Sequence, residues 1–163
     1  MIVHVKNKFI SLRDGSDVVN DNNEPVYKVK GKWPSLRKRK FVCTLDGTLL
    51  YEVRNKFWHF LYPSAFIFDA NGEKIAKVKR KILTMRTQFF VEGNEHEYVI
   101  DGNWVGWNLT VTRDGTEIGR ITRKFDMFKD SFTVEAEEEN MPFMIALVIA
   151  IDNMQDKARG EKN

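Results

Sequence analysis

The chain has 163 residues, of which 42% are apolar and 30% are charged, and its net charge is +3. This length is typical of one domain and is sufficient to bury a real core, and the composition is ordinary for a soluble globular protein. The single cysteine, Cys43, excludes an intrachain disulfide. The mildly basic balance permits an acidic partner without requiring one, and we expect no nucleic acid among the partners.

The cysteine content and the first residues also bear on location. A lone cysteine is typical of a protein that resides in a reducing cytosol. The segment Met1–Lys6 does not resemble the apolar run of a signal peptide. We therefore expect a cytoplasmic protein, and one that associates with a membrane would do so peripherally.

A repeated hairpin pattern runs through most of the chain. Each copy is an apolar strand, a turn with Asp, Asn or Gly, and a second strand that ends in Lys and a large apolar residue. The clear copies are Val18–Glu24 with Val26–Trp33, Phe41–Gly47 with Leu50–Phe57, Ala65–Gly72 with Ile75–Ile82, and Leu109–Gly115 with Ile118–Phe125. A looser pair (Gln88–Val91 and Glu97–Ile100) and the segments Val3–Leu12 and Ser131–Glu135 bring the prediction to about twelve strands.

The turns between paired strands support antiparallel hairpins. Asp46-Gly47 and Asp114-Gly115 fit two-residue type I′ turns, in which both central residues need positive φ. The turns at Asp21–Glu24 and Asp69–Gly72 look two residues longer. Two extra residues leave side-chain parity unchanged, so each returning strand should present the same face.

Alternation along the returning strands predicts an apolar side and a charged side of the wall. The residues expected inside are Val29, Val53, Val78 and Ile121, with Tyr27, Tyr51, Ala76 and Gly119 two positions earlier. The residues expected outside are Lys28, Lys30, Lys32, Glu52, Arg54, Lys56, Lys77, Lys79, Lys81, Arg120, Thr122 and Lys124. The small Ala76 and Gly119 suggest a wall that must fit an irregular rod.

The run Met141–Ile151 contains no polar side chain and predicts that rod. Pro142 suits a first helical turn, and Asn140 is an acceptable N-cap. A helix that is apolar on every face is buried all round or lies in lipid, and at roughly 16 Å this run is too short to span a bilayer. We therefore predict a core helix made of Phe143, Met144, Ile145, Ala146, Leu147, Val148, Ile149, Ala150 and Ile151.

An enclosed helix needs a closed wall, and about twelve strands are enough to provide one. The predicted fold is a mainly β, antiparallel, closed barrel of about twelve strands wrapped around the C-terminal hydrophobic helix. We assign residues 1–154 to this single domain and residues 155–163 to a polar, disordered tail.

Four features together resemble the LURP-one-related family, in its small, single-domain bacterial form. They are the hairpins with Asp-Gly turns, the Lys-aromatic strand ends, the segment Asp101–Gly106 before Leu109–Val111, and the closing helix Ile145–Asn153. The resemblance runs from about Phe9 to Asn153 and implies the Tubby C-terminal-like fold, a twelve-stranded barrel threaded by a helix. That superfamily includes the phospholipid scramblases, and the resemblance implies basic residues that bind lipid headgroups. No headgroup motif matches here, so no ligand residue is carried over.

The favoured function is a non-enzymatic binding or scaffold module with weak affinity for anionic phospholipid headgroups or another acidic partner. The residues expected to carry it are Lys28, Lys30, Lys32, Arg37, Lys38, Arg39 and Lys40. Basic residues near an anionic bilayer each contribute about 1 kcal/mol before screening. Charged outward positions also serve to blunt aggregation, so the same pattern fits a face that is only solubilising.

Two other functions stay open. One is a small-molecule-binding protein or enzyme with a site at a barrel mouth near His59 or His96, which would require a concave pocket with convergent polar groups. The other is a structural protein that acts as a homodimer. The sequence has no recognisable catalytic, cofactor or metal motif, so we predict no enzyme activity and no cofactor.

Two further sequence features have structural interpretations. Cys43 fits a small buried hydrophobe, and Phe57–Pro63 fits a cap over one barrel mouth or a membrane-touching loop.

Overall fold

The computed structural model describes residues 1–6, 16–31, 39–56, 63–83, 86–124 and 131–160. Within these ranges the chain forms twelve β-strands followed by one α-helix. The strands are β1 (Ile2–Lys6), β2 (Ser16–Asn20), β3 (Pro25–Gly31), β4 (Lys40–Cys43), β5 (Leu49–Asn55), β6 (Ser64–Asp69), β7 (Lys74–Leu83), β8 (Arg86–Gly93), β9 (Tyr98–Asn103), β10 (Asn108–Arg113), β11 (Thr116–Lys124) and β12 (Ser131–Ala136). The helix α1 spans Met141–Gly160.

The strands form one antiparallel sheet in which each strand pairs with its sequence neighbours from β1 to β8 and from β9 to β12. The first and last strands, β1 and β12, also pair with each other. The remaining edges, β8 and β9, meet at an isolated bridge between Glu92 and Glu97. The sheet is therefore a nearly closed barrel, and the predicted antiparallel barrel of about twelve strands is confirmed.

The turns show how short polar segments set the hairpins. Asp114 and Gly115 both have positive φ (51° and 78°), as the predicted type I′ turn requires. At Asp46-Gly47 only the glycine does (97°), so the type I′ prediction for that turn is wrong. The Gly47 amide donates to the Thr44 carbonyl at 3.1 Å, which gives a longer loop that ends in a strand irregularity.

The turns after β2 and β6 have the same design. In each, one side chain at the end of the first strand accepts two backbone amides across the loop. Asn20 Oδ1 accepts the amides of Asn22 (3.0 Å) and Glu24 (2.9 Å). Asp69 Oδ1 accepts those of Asn71 (3.0 Å) and Glu73 (2.8 Å). Asn and Asp are therefore interchangeable at this position of the turn, because the required group is an acceptor oxygen.

The core is the contact between α1 and the inner face of the barrel. All the predicted core-helix residues from Phe143 to Ile151 are buried, and so are Val29, Val53, Val78 and Ile121 on the wall. Gly119 must be small, because a Cβ there would lie 2.9 Å from Met144 Cε and 2.7 Å from the Glu135 carbonyl oxygen. The predicted sidedness of the wall is confirmed at these positions.

The helix is longer than the apolar run Met141–Ile151 from which it was predicted. It begins at Met141, directly after Asn140, and the Met144 amide donates to the Asn140 carbonyl at 3.0 Å. It continues to Gly160, so it enters the segment that we expected to be a disordered tail. No helix in the described ranges is both long and apolar enough to cross a membrane.

Candidate functional site

The structure describes four of the seven residues predicted to bind anions, and they lie in three environments. Lys28 and Lys30 are on the outer face of β3, Arg39 is in an ion cluster, and Lys40 is buried. Lys32, Arg37 and Lys38 lie outside the described residues. Lys28 and Lys30 lie on the outer face of β3, where Lys30 is exposed. The Lys28 ammonium donates to the Leu45 carbonyl at 2.9 Å, so it is already partly engaged by the neighbouring turn.

Arg39 belongs to a compact ion cluster on the outer wall. Its guanidinium pairs with Glu52, which also accepts two hydrogen bonds of 2.7 Å from Arg54. The Glu52 side chain is only 6% exposed. Burial would raise the pKa of Glu52, but the hydrogen bonds and positive charges of Arg54 and Arg39 outweigh it and lower the pKa to about 2. The charge of Arg39 is therefore offset locally.

Lys40 corrects the expectation of a continuous basic surface over Arg37–Lys40. It is 8% exposed and lies on the same side of β4 as the buried Val42, toward the barrel interior. The physical reason is strand parity, because residues two apart share a face. Lys40 belongs to a set of buried polar residues that also includes Asn55, Arg123, Asp152 and Asn153. The Asn153 side-chain amide donates to Asn55 Oδ1 at 3.4 Å.

A cavity lies at the barrel end where α1 begins, and we call it the mouth pocket. Its volume is about 570 Å³. The ends of β5–β7 and β8–β10 and the first turn of α1 supply its walls. The lining residues are Tyr51, Asp69, Glu73, Lys74, Ile75, Asn94, Glu95, His96, Tyr98, Arg113 and Phe143. This size is within the range usual for small-molecule sites.

Strand register places the polar side chains of the mouth pocket in two pairs. Tyr51 of β5 is directly opposite Asp69 of β6. Tyr98 of β9 is directly opposite Arg113 of β10. Phe143 of α1 lies between the two tyrosines, with its ring stacked on Tyr98 at 4.9 Å and edge-on to Tyr51 at 6.1 Å. The pocket thus has charged groups of both signs around an aromatic floor.

Both tyrosines are held as neutral hydroxyl groups. Burial raises the pKa of Tyr51, with Arg113 acting against this and Asp69 adding to it. Burial also raises the pKa of Tyr98, and Arg113 again acts against it. Arg113 and Asp69 therefore act on the pKa of Tyr51 in opposite directions.

His96 stands at the rim of the mouth pocket in a fixed position. Its Nδ1 lies 2.6 Å from Asp114 Oδ2, and the Glu97 amide donates to Asp114 Oδ1 at 2.8 Å. The Glu97 amide and the His96 ring lower the pKa of Asp114, so the carboxylate accepts both hydrogen bonds. Gly93 makes room for this turn, because a Cβ there would collide with the His96 carbonyl and the Tyr98 ring.

The mouth pocket partly matches one of the functions left open by the sequence. A barrel mouth beside His96 was predicted, and the structure has a pocket there. His59 and most of Phe57–Pro63 lie outside the described residues. Cys43 is buried, as expected, and burial raises the pKa of its thiol. Across the described ranges, no group of three or more His, Cys, Asp and Glu side chains is arranged to hold a metal ion.

Sequence reasoning missed Asp69, Tyr98 and Arg113. Asp69 was interpreted only as a turn residue, and Arg113 only as the last residue before the Asp114-Gly115 turn. A usable signal was present, since hairpin strand ends on one side of a barrel converge at the same mouth. Polar residues at the inward position next to each turn were therefore candidates for a common site.

Comparison with known proteins gives consistent results. The family model described as LURP-one-related matches residues 1–152. The chain is 23% identical over 150 residues to "Uncharacterized protein YxjI" of Bacillus subtilis (strain 168), and the match covers 91% of this chain and 90% of that protein. An X-ray structure of a protein from Arabidopsis thaliana has a TM-score of 0.58 at 16% identity, and covers 94% of this chain and 91% of its own. At that identity the structural match supports the fold alone.

Proposed function

The chain belongs to the LURP-one-related family, and we propose that it is a non-enzymatic binding protein that holds a small molecule in the mouth pocket. An anionic group of the ligand is bound by Arg113. One observation carries this proposal. Arg113 lines a cavity of about 570 Å³ and, among the described carboxylates, none forms an ion pair with it.

Arginine suits this role because its planar guanidinium offers several donors that match a carboxylate or phosphate in two-point contact. The half-buried setting beside Tyr51, Tyr98 and Phe143 strengthens the interaction, because charges attract more strongly away from bulk water. Specific contacts and an apolar floor are what a ligand site requires.

The outer basic face offers less to an anionic ligand. Arg39 and Arg54 share Glu52, and Lys79 pairs with Glu92. Exposed charges on a barrel wall are also screened by salt, which weakens their pull on a distant anion. Binding of anionic lipid headgroups through Lys28 and Lys30 stays a prediction, and so does a catalytic use of His96.

The test uses two small carboxylates as probes, 3-phenylpropanoate and L-phenylalanine, followed by ¹H–¹⁵N NMR titration and calorimetry. We expect chemical-shift changes around the mouth pocket. Arg113→Gln should weaken binding of the tighter probe by about 10- to 100-fold, since a hydrogen bond to a charged group is worth roughly 1.5–3 kcal/mol.

The matched control is Arg120→Gln, which removes the same charge from an exposed position on β11, where Arg120 pairs with Glu117 at 2.8 Å. This variant should bind like the wild type. The proposal fails if neither probe binds at millimolar concentration, or if Arg113→Gln binds both probes as tightly as the wild type.

A further inference from the structure

The mouth pocket separates two opposite charges across an aromatic floor. Asp69 stands beside Tyr51 on one wall, and Arg113 stands beside Tyr98 on the other. Phe143 lies between the two tyrosines. Asp69 and Arg113 do not form an ion pair with each other in the described structure. Each charge is therefore left facing the cavity.

The Asp69 carboxylate keeps capacity for a ligand. Its Oδ1 accepts the amides of Asn71 and Glu73, which hold the turn. Its Oδ2 has only a long contact of 3.4 Å from the Asn71 side chain. A carboxylate has about four acceptor positions, so Oδ2 is able to accept from a bound ammonium group.

The other charged residues at the mouth also argue against a simple anion. The lining includes the acidic side chains of Asp69, Glu73 and Glu95 and the basic side chains of Lys74 and Arg113, with His96 at the rim. A ligand with only negative charge would meet the carboxylates without compensation. A ligand with only positive charge would meet Arg113 in the same way. Like charges a few ångströms apart repel each other, and the repulsion grows where surrounding protein excludes part of the water.

We propose that the ligand of the mouth pocket is a small zwitterion of the amino-acid type, with its carboxylate on Arg113, its ammonium group on Asp69 and its apolar part against Phe143 and the tyrosines. This inference rests on the proposed function and narrows it to a ligand class. Asp69 is then the specificity-determining residue, because it favours a ligand that carries a positive charge. Arg113 alone would bind any ligand with a suitable anionic group.

Three probes of matched shape separate the contributions. L-phenylalanine carries both charges, 3-phenylpropanoate lacks the ammonium group, and 2-phenylethylammonium lacks the carboxylate. We expect L-phenylalanine to bind at least about tenfold more tightly than either of the others, since a single charge-assisted contact is worth about that factor.

Asp69→Asn is the sharpest variant, because the chain already uses an asparagine to close a turn of the same design. Asn20 performs the same turn-closing role after β2, accepting two amides with its side-chain oxygen. The variant therefore keeps the turn and removes the charge. L-phenylalanine should lose its advantage over 3-phenylpropanoate, while binding of 3-phenylpropanoate stays equal or improves. The control is Asp46→Asn, in the turn after β4 and outside the pocket lining.

The outcomes distinguish the two proposals. If 3-phenylpropanoate binds as tightly as L-phenylalanine, and Asp69→Asn changes neither, the zwitterion inference is wrong while an Arg113-dependent anion site stands. If no probe binds, or if binding is independent of Arg113, the proposed function fails and the inference fails with it. An advantage of L-phenylalanine that survives Asp69→Asn also overturns the role of Asp69.

Discussion

The inner and outer faces of the barrel wall are built from alternate residues of the same strands, yet they differ in where charged side chains lie and how they are paired. The inner face around α1 is largely apolar, and Val53 and Ile67 on the wall and Ala146 of α1 are completely buried. The outer face carries charged groups that satisfy one another, such as Glu52 between Arg39 and Arg54. Several charges on the outer face are thus paired locally, whereas the core around the apolar run of α1 is made of apolar side chains.

The mouth pocket is where the inner face changes character. At the strand ends the inward positions pass from valine and isoleucine to Tyr51, Asp69, Tyr98 and Arg113. These polar groups do not cancel one another as the outer ones do. The difference suggests that the outer charges serve solubility and wall stability, while the inner charges at the mouth are available to a ligand.

The largest expected effect comes from placing a charge in the helix that the inner face encloses. Ala146 has no exposed surface, so Ala146→Asp would bury an unpaired carboxylate against the wall. The cost of several kcal/mol is comparable with the whole stability of a typical domain. We expect an unfolded or aggregated product by circular dichroism and size-exclusion chromatography.

The matched control for that substitution is Ala70→Asp, in the exposed turn after β6. It introduces the same side chain and should leave the melting temperature within a few degrees of the wild type. A soluble, monomeric Ala146→Asp protein with a cooperative melt would contradict the enclosed helix and remove the basis of the comparison.

The sequence was sufficient for the features that depend on neighbours along the chain. The hairpins follow from turn residues and alternation, and α1 follows from one continuous apolar run. The burial of Lys40 was also predictable, because it is two residues from Val42 on a strand. The type I′ prediction at Asp46-Gly47 failed because Thr44 and Thr48 extend the loop, with a 3.0 Å hydrogen bond between their backbones.

The site could not be predicted in the same way. Tyr51 meets Asp69, and Tyr98 meets Arg113, through the register of separate hairpins, and the two pairs face each other only after the barrel curves round. Phe143 joins them from the far end of the chain. No local pattern encodes these distances, since they depend on strand number, register and the position of the helix.

An intermediate effect on stability is expected from Glu52, whose carboxylate is buried within the ion cluster on the outer wall. The pKa of Glu52 is lowered from its ordinary value of 4.5 to about 2 in the folded protein, because Arg54 and Arg39 outweigh the effect of burial. A carboxyl group whose pKa is lower in the folded protein stabilises the fold at pH values above its unfolded-state pKa. This contribution is lost as the pH falls from about 4.5 toward 2. Glu52→Gln should therefore lower the unfolding free energy by about 1–3 kcal/mol at pH 7, where both arginines lose their partner.

The measurement is urea denaturation of the wild type and Glu52→Gln between pH 7 and pH 2. The difference in unfolding free energy between the two proteins should become smaller as the pH is lowered. Glu92→Gln is the control, because Glu92 pairs with Lys79 at an exposed position where such pairs contribute little. A gap that is the same at pH 7 and pH 2 would mean that packing, and not charge, explains the effect of Glu52.

The smallest expected effect concerns the outer basic face itself, and it decides whether that face does more than keep the barrel soluble. Lys28 and Lys30 are the described members of the predicted lipid-binding set that remain on the outer wall of β3 without an acidic partner in the described structure. Co-sedimentation with vesicles containing phosphatidylserine should show weak binding at low salt that disappears at physiological salt, because screening acts on exposed charges.

The double substitution Lys28→Glu and Lys30→Glu should weaken that binding by about 1 kcal/mol or more per lysine, since each reversal removes an attraction and adds a repulsion. The double substitution Lys77→Glu and Lys79→Glu changes the net charge equally on β7 and serves as the control. Equal losses in both variants would show that net charge alone drives the association. A selective loss in the β3 variant, with ligand binding at the mouth pocket intact, would give the outer face a function independent of the inner one.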